Sequence, residues 1–286
     1  MGSKNGKKES NRFNRISDVE KLKSYLKSAD RIKKNEKYIH LYTNIERVTE
    51  MFSSGKIWLA NATDMNDEIE YKAFPEAEWE GLFFKCFMAE ESESIAMWSM
   101  YAIPPEAGVK ISIRVKEFKK WIRALKKGEY SIEANRNDEW KSIDYENVEI
   151  GHLAVAYCDN LNIVDQKGTT IRWSTVKNTN FSRVNVRDSL IGCIKDDAWA
   201  YEKELRLILR ITSEEKYQSF RVGISEELMK SAIVTSGPCY SDRVAMENFR
   251  NANREVEITK SKYIENAKKI FICERCQYSF NYNGYD

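Results

Sequence analysis

Residues 201–211 alternate leucine with charged side chains, and this alternation constrains the fold more than any other stretch of the sequence. The two sets of alternate positions are Leu205, Leu207 and Leu209, and Glu202, Glu204 and Arg206. Because successive side chains of a β-strand point to opposite faces, the segment predicts a strand with a leucine core face and a charged face. The charged face is either an ordinary surface in contact with water or the lining of a functional cleft.

The remaining periodic segments mix strands and helices without a regular βαβ order. Apolar or alternating runs predict strands at 37–43, 56–60, 81–88, 108–115, 152–158, 230–237 and 254–261. Helical spacing predicts helices at 17–34, 45–54, 118–125, 186–199 and 241–253, the first of them opened by the capping box Ser17–Glu20. We therefore predict an α+β fold rather than a doubly wound sheet.

The chain has 286 residues and contains no Gly/Pro-rich linker, so we expect a single domain over 17–286. Residues 1–16 are polar and basic and are expected to be a disordered tail. No apolar stretch is long enough to cross a bilayer and no signal peptide is evident, which predicts a cytoplasmic protein without a membrane partner. Residues 1–37 carry 12 Lys/Arg against 5 Asp/Glu, a charge suited to contacting nucleic acid or simply to remaining solvated.

Several common kinds of site are excluded by the residues present. The sequence lacks both the GxGxxG and the GxxxxGK[ST] patterns, so the usual dinucleotide and P-loop sites are not expected. Two histidines cannot build a histidine-rich metal site, and Cys273–Cys276 has no second ligand pair. We therefore predict no metal.

The carboxylates of the charged face suit one kind of chemistry. On a strand, Glu202 and Glu204 would lie about 7 Å apart on one face. A fixed carboxylate stabilises a transition state that develops positive charge, as the ribose does when nicotinamide leaves NAD. The second carboxylate can orient or deprotonate the incoming nucleophile, and Arg206 would support the pair electrostatically.

Three further segments occur in a fixed order with this strand. They are Leu41-Tyr42-Thr43, the turn Met65-Asn66-Asp67-Glu68-Ile69-Glu70, and Cys86-Phe87-Met88 followed by Met97-Trp98-Ser99-Met100-Tyr101-Ala102 and Gly108. Together with Trp199 to Arg206, they resemble the domain-of-unknown-function family 2971, whose members look like ADP-ribosyltransferases. The resemblance spans about residues 38–260.

The resemblance implies a split mixed β-sandwich flanked by helices, with NAD as substrate in a central cleft. It implies that Glu204 drives glycosidic cleavage with Glu202 as the upstream member of a Glu-x-Glu pair. The residues implied or considered as NAD contacts are His40, Tyr42, Thr43, Asn66, Trp98, Tyr101 and Arg206. Tyr42 and Thr43 would hold a ribose, and Tyr101 would pack on nicotinamide.

The sequence departs from the family pattern at Leu41, where many relatives have His, and at Met100 and Glu68. His40 adjoins Leu41, but its side chain is expected on the opposite face of the strand. We expect an enzyme that transfers ADP-ribose to nucleic acid or protein, with a toxin or anti-phage defence role and a possible neutralising antitoxin or immunity partner. The alternatives are a non-catalytic nucleotide- or nucleic-acid-binding module with a degenerate NAD cleft, and an NAD glycohydrolase.

Overall fold

The structure is a computed structural model that describes residues 37–65, 81–158, 162–164, 170–172, 192, 194–213 and 215–263. Several sequence predictions fall outside these ranges. They are the tail 1–16, the helix 17–34, the NAD contact at Asn66 and the Cys273–Cys276 pair.

A mixed sheet of 11 strands dominates the described part of the chain, and helices pack on it, so the predicted α+β class is confirmed. Its strands are β1 (Tyr38–Asn44), β2 (Lys56–Asn61), β3 (Leu82–Met88), β4 (Gly108–Arg114), β5 (Ile132–Arg136), β6 (Glu139–Ser142), β7 (Val148–Ala154), β12 (Glu204–Ile211), β13 (Ser219–Gly223), β14 (Ile233–Ser236) and β15 (Glu257–Lys260). Four short strands pair outside it: β8 (Ala156–Cys158) with β11 (Ile194–Asp196), and β9 (Asn162–Val164) with β10 (Thr170–Arg172).

The sheet branches at β3. One edge of β3 pairs with β12, which in turn pairs with β7. The other edge pairs with β1 only through Met88, and with β2 only through Phe83 and Phe84. Two arms therefore diverge from one edge of β3, one running β1-β4-β14-β15 and the other β2-β13-β5-β6.

The helices of the described chain are α1 (Ile45–Ser54), α2 (Ile95–Tyr101), α3 (Val115–Leu125), α4 (Glu226–Lys230) and α5 (Arg243–Ala252). Helix α1 joins the two arms and begins and ends as its sequence predicts. The Asn44 side chain accepts a hydrogen bond from the Arg47 backbone N–H, and Gly55 ends the helix at a φ of 63°. Its apolar face and that of α3 pack into the main core between the arms.

The predicted leucine face of β12 lies in this core. Leu205, Leu207 and Leu209 are fully buried with Phe83 and Phe87 of the neighbouring strand. Burying such side chains contributes about 1.5–3 kcal/mol each, which fixes the register because a one-residue slip would expose all of them. The opposite face of β12 is therefore determined as well.

Three sequence predictions differ from the structure. The strand predicted over 201–211 begins only at Glu204. The segment 152–158 is not one strand, because it is interrupted at Val155 between β7 and β8. The described end of the predicted α-helix 186–199 is not an α-helix. Residues 194–196 form the strand β11, and Asp197–Glu202 form a 3₁₀ helix. The apolar residues there pack from a short strand and a tight turn. Over so few residues, their spacing in the sequence cannot be distinguished from that of an α-helix.

Candidate active site

The charged face of β12 is buried. Glu204 lies opposite Met88 and Arg206 opposite Cys86 in the register with β3. Glu204 is 4% exposed and Arg206 is fully buried. The predicted alternation of Glu204 and Arg206 with the leucines is confirmed, and the alternative of a face in contact with water is wrong.

Glu202 reaches the same cluster by a different route from the predicted one. The strand begins at Glu204, and Glu202 is the last residue of the 3₁₀ helix. Lys203 between them has a φ of 45°, a left-handed conformation that is uncommon for residues other than glycine. The Lys203 carbonyl accepts a hydrogen bond of 2.9 Å from the Ala89 backbone N–H, and its side chain pairs with Glu90. This turn brings both carboxylates to one place.

Arg206 binds Glu204 directly. Its Nε and Nη2 donate to Oε2 of Glu204 at 3.1 and 2.7 Å, and its Nη1 donates to the Gly192 carbonyl at 2.9 Å. The guanidinium also lies 5.1 Å from the ring centroid of Phe84. These contacts hold the guanidinium in an orientation that faces Glu204.

Gly192 has no room for a side chain. Its φ is +73°, and a Cβ there would lie 2.3 Å from the Phe84 ring. The Gly192 carbonyl can approach Arg206 only because this residue is a glycine.

Lys195 joins the two carboxylates. Its Nζ lies 2.6 Å from Oε2 of Glu202 and 3.9 Å from Oε2 of Glu204, and it is almost completely buried. The ammonium group also lies 4.4 Å from the centroid of the Trp199 ring. Strand β11, which pairs with β8, places Lys195 beside Tyr157. Two carboxylates and two cations thus balance in one buried cluster of Lys195, Glu202, Glu204 and Arg206.

The cluster treats its two carboxylates differently. Burial, and next the charge of Glu204, raise the pKa of Glu202 above its ordinary value. Burial also acts to raise the pKa of Glu204, but the charges of Arg206 and Lys195 outweigh it and hold that pKa below its ordinary value. Glu204 is therefore the carboxylate that stays ionised, and Glu202 is the one that gains and loses a proton more readily.

Three neutral side chains complete the cluster. The Tyr101 hydroxyl donates to Oε1 of Glu202, and Tyr157 accepts a hydrogen bond of 2.9 Å from the Glu204 backbone N–H through its hydroxyl oxygen. The Cys86 thiol lies against Glu204, and burial raises its pKa well above the ordinary value, so it remains a neutral donor. Tyr101 is only half-buried, which makes it the link between Glu202 and the surface.

An aromatic group adjoins the charged cluster. Tyr42 and Trp98 meet edge to face with centroids 4.8 Å apart, and both are buried with Met88. Tyr101 packs against this group while bonding Glu202, so α2 connects the aromatic residues to the carboxylates. The structure thus brings together the predicted residues Tyr42, Trp98, Tyr101, Glu202, Glu204 and Arg206.

His40 lies on the same face of β1 as Tyr42. Its Nδ1 is 2.9 Å from the Ser112 hydroxyl oxygen, and its buried Nε2 has no hydrogen-bond partner among the residues that the structure describes. Burial, and next the charge of Lys110, lower the pKa of His40 to about 4, so the imidazole is neutral near pH 7. Thr43 lies on the same face of β1 as Leu41, which packs on the main core. Thr43 therefore does not join the aromatic group. Asn66 lies outside the described residues.

Sequence reasoning missed Lys195, Tyr157 and Cys86. A signal existed for Tyr157, because a tyrosine in a predicted buried strand needs a hydrogen-bond partner for its hydroxyl. Lys195 carried no such signal: a lysine two residues before a turn is usually a surface residue.

No three His, Cys, Asp or Glu side chains among the described residues converge as metal ligands would. Nor does any helix within the described ranges have both the length and the apolar character to cross a bilayer.

Comparison with curated proteins gives no match. Among solved structures, Thermus sp. 2.9 DarT in complex with NAD⁺ is 11% identical, with a TM-score of 0.30 over 80% of this chain and 97% of that one. The same protein with ADP-ribosylated ssDNA is 11% identical, with a TM-score of 0.31 over 82% of this chain and 98% of that one. Such scores are too low to establish a common fold.

One family model matches the sequence, over residues 97–207. This span begins in α2, just before Tyr101, and ends in β12, just after Arg206, so it contains all four charged residues of the buried cluster. The family is described as Protein of unknown function (DUF2971), and the resemblance predicted from the sequence is confirmed over these residues.

Proposed function

We propose that the protein is an NAD-dependent ADP-ribosyltransferase-like enzyme that transfers ADP-ribose to a macromolecule. One observation carries the proposal: Glu202 and Glu204 share the buried ammonium group of Lys195, at 2.6 and 3.9 Å, and Arg206 donates two hydrogen bonds to Glu204. The pKa directions agree with this geometry, raised for Glu202 and lowered for Glu204. A pair of carboxylates with opposed environments supplies one permanent charge and one proton carrier. Most glycoside hydrolases use such a pair to pass through a positively charged transition state.

Glu204 is the permanent charge in this proposal. Arg206 and Lys195 keep it ionised, and it stabilises the positive charge that develops on the ribose as the bond to nicotinamide breaks. Because Arg206 holds it by two donors, little reorganisation is needed during the reaction.

Glu202 is the proton carrier. The acceptor's oxygen or nitrogen forms its bond to the ribose carbon that nicotinamide leaves, and the acceptor's proton passes to Glu202. Tyr101, half-buried and bonded to Glu202, orients that carboxylate and lies on the path to the surface.

The aromatic group would hold the nicotinamide half of NAD. Tyr42, Trp98 and Tyr101 offer ring faces and edges next to the carboxylates. The Nε2 of neutral His40, which finds no partner in the described part of the chain, supplies a buried hydrogen-bonding atom on the same face, which a ribose hydroxyl would satisfy. The expected split-sandwich architecture and the expected contact at Asn66 are part of the same proposal.

One observation favours a second candidate, a non-catalytic binding module. Glu202 is 1% exposed and Glu204 is 4% exposed, so in this arrangement neither carboxylate is open to a substrate. Catalysis would require the residues around Tyr101 to move, whereas a module would keep the cluster as a structural element.

The biological setting belongs to the proposal too. An enzyme that modifies nucleic acid or protein in its own cytoplasm is harmful, which suits a toxin or anti-phage defence effector with a neutralising partner. We further propose a single domain over residues 17–286 preceded by the basic tail.

The test uses NAD labelled in its adenylate part, incubated with purified protein and cell lysate. Label in nucleic acid or protein is expected for a transferase. Label only in free ADP-ribose identifies a glycohydrolase, and intact NAD in every sample identifies the binding module and contradicts the proposal.

Replacing Tyr101 by phenylalanine tests the role of Glu202. The hydroxyl's hydrogen bond stabilises the ionised carboxylate, so its loss raises the pKa of Glu202 further. The proposed base acts in its ionised form. As the pH falls, the variant should therefore lose activity at a higher pH than the unaltered protein does. The measurement is the pH profile of nicotinamide release; an unchanged acid limb would show that Glu202 is not the titrating base.

A further inference from the structure

The face of the sheet that carries the buried cluster continues onto the arm β2-β13-β5-β6. Paired residues of neighbouring strands share a face. A single row of pairs crosses the sheet from β12 to β6: Ile208–Phe84, Phe84–Ala60, Ala60–Ser219, Ser219–Asn135 and Asn135–Trp140. Ile208 has the parity of Glu204 and Arg206, so Trp140 lies on their face at the far edge.

Two tryptophans dominate this face of the arm. Trp58 of β2 is 53% exposed, and its ring meets that of Trp140 at 85° with centroids 6.2 Å apart. Arg221, paired with Trp58 in the register, lies with its guanidinium carbon 4.2 Å from the centroid of the Trp140 ring. The two adjoining tryptophan rings form an exposed aromatic patch, and contiguous exposed patches of this kind mark interaction sites.

The charges around the tryptophans are mainly positive. Lys56 and Arg221 both bond Glu133, leaving one net positive charge among the three side chains. The buried carboxamide oxygen of Asn135 accepts no hydrogen bond within the described residues. We call Lys56, Trp58, Asn135, Trp140 and Arg221 the tryptophan platform.

We propose that the tryptophan platform binds single-stranded nucleic acid and thereby presents the acceptor to the buried cluster. Unpaired bases stack on exposed aromatic rings whatever their sequence, and neighbouring cations attract the phosphates. A duplex keeps its bases stacked internally and offers no ring face to Trp58. A protein ligand, the other acceptor considered, has no comparable need for a stacking surface flanked by cations.

This inference names the acceptor of the proposed function and rests on it for the chemistry, but the binding itself requires no turnover. The two are therefore separable. Binding is measured without NAD. A protein that binds single strands and releases no nicotinamide would support the platform and contradict the proposed enzymatic function.

The experiment measures fluorescence polarisation of labelled single-stranded DNA and RNA of about 20 nucleotides, longer than the site size of one small binding surface. We expect Trp58→Ala to weaken binding roughly tenfold or more, because one base-stacking ring is lost. Trp58→Phe should recover most of the affinity. The salt dependence of binding should be unchanged in both variants, because neither removes a phosphate contact.

Val244→Ala is the matched control, since Val244 is a 70% exposed apolar residue on α5, outside the platform. It should bind as the unaltered protein does. The proposal is overturned if the folded protein binds no single strand, or if Trp58→Ala binds with unaltered affinity. It is also overturned if a duplex of the same sequence binds equally well.

Discussion

Glu204→Gln is expected to lower nicotinamide release from NAD roughly a thousandfold, the usual scale for loss of one preorganised electrostatic group. Glutamine keeps the shape of the side chain and can still contact Arg206, but it carries no charge to stabilise the ribose in the transition state. NAD affinity should change little, because Glu204 acts mainly on the developing charge. Release is measured as free nicotinamide under single-turnover conditions.

The control for this variant is Glu226→Gln, which alters an exposed glutamate of α4 that pairs with Lys230. Its nicotinamide release should equal that of the unaltered protein. A Glu204→Gln protein that retains full turnover contradicts the mechanism. Any transfer of label from NAD would then have to depend on Glu202 without Glu204.

Arg206→Met is expected to have the largest effect on stability. It removes the guanidinium that donates twice to Glu204 and once to the Gly192 carbonyl, and leaves a buried carboxylate with Lys195 alone. Breaking one side of a buried ion pair costs about 3–5 kcal/mol of unfolding free energy. The measurement is urea unfolding, with the midpoint and the slope fitted separately.

A second substitution separates charge balance from packing. Glu204→Gln combined with Arg206→Met restores neutrality at the cluster, so the double variant should be more stable than Arg206→Met alone. Arg221→Met is the matched control: Arg221 is 30% exposed and paired with Glu133, and its loss should cost less than about 1 kcal/mol. A double variant no more stable than Arg206→Met would mean that the guanidinium stabilises the fold through packing rather than through charge.

Much of the fold could be predicted where periodicity and capping agree. Residues 45–54 combine an Asn cap, an apolar stripe and a terminal glycine, and form α1 as predicted. The alternation in 204–211 determined which side chains of β12 share a face. Such local signals cannot show that β1 and β2 leave the same edge of β3, because that branching depends on which distant strands pair.

Six of the predicted residues come together in the structure, but their geometry and several of their neighbours could not be predicted. Glu202 was expected on the strand with Glu204, but the left-handed backbone of Lys203 places it at the end of a 3₁₀ helix. Tertiary contacts, among them the hydrogen bond from Ala89, hold a conformation that lysine does not prefer by itself. Lys195 was not anticipated, because only the pairing of β11 with β8 turns it inward.

The four buried charges lie within twelve consecutive residues, from Lys195 to Arg206. A single recombination event, or one engineered exchange of that segment between relatives, therefore carries both carboxylates and both of their countercharges together. No chimera made in this way contains a lone buried ion. The charged residues of the segment can thus be exchanged together. Their neutral neighbours Tyr101, Tyr157 and Cys86, which lie outside the segment, stay unchanged in such an exchange.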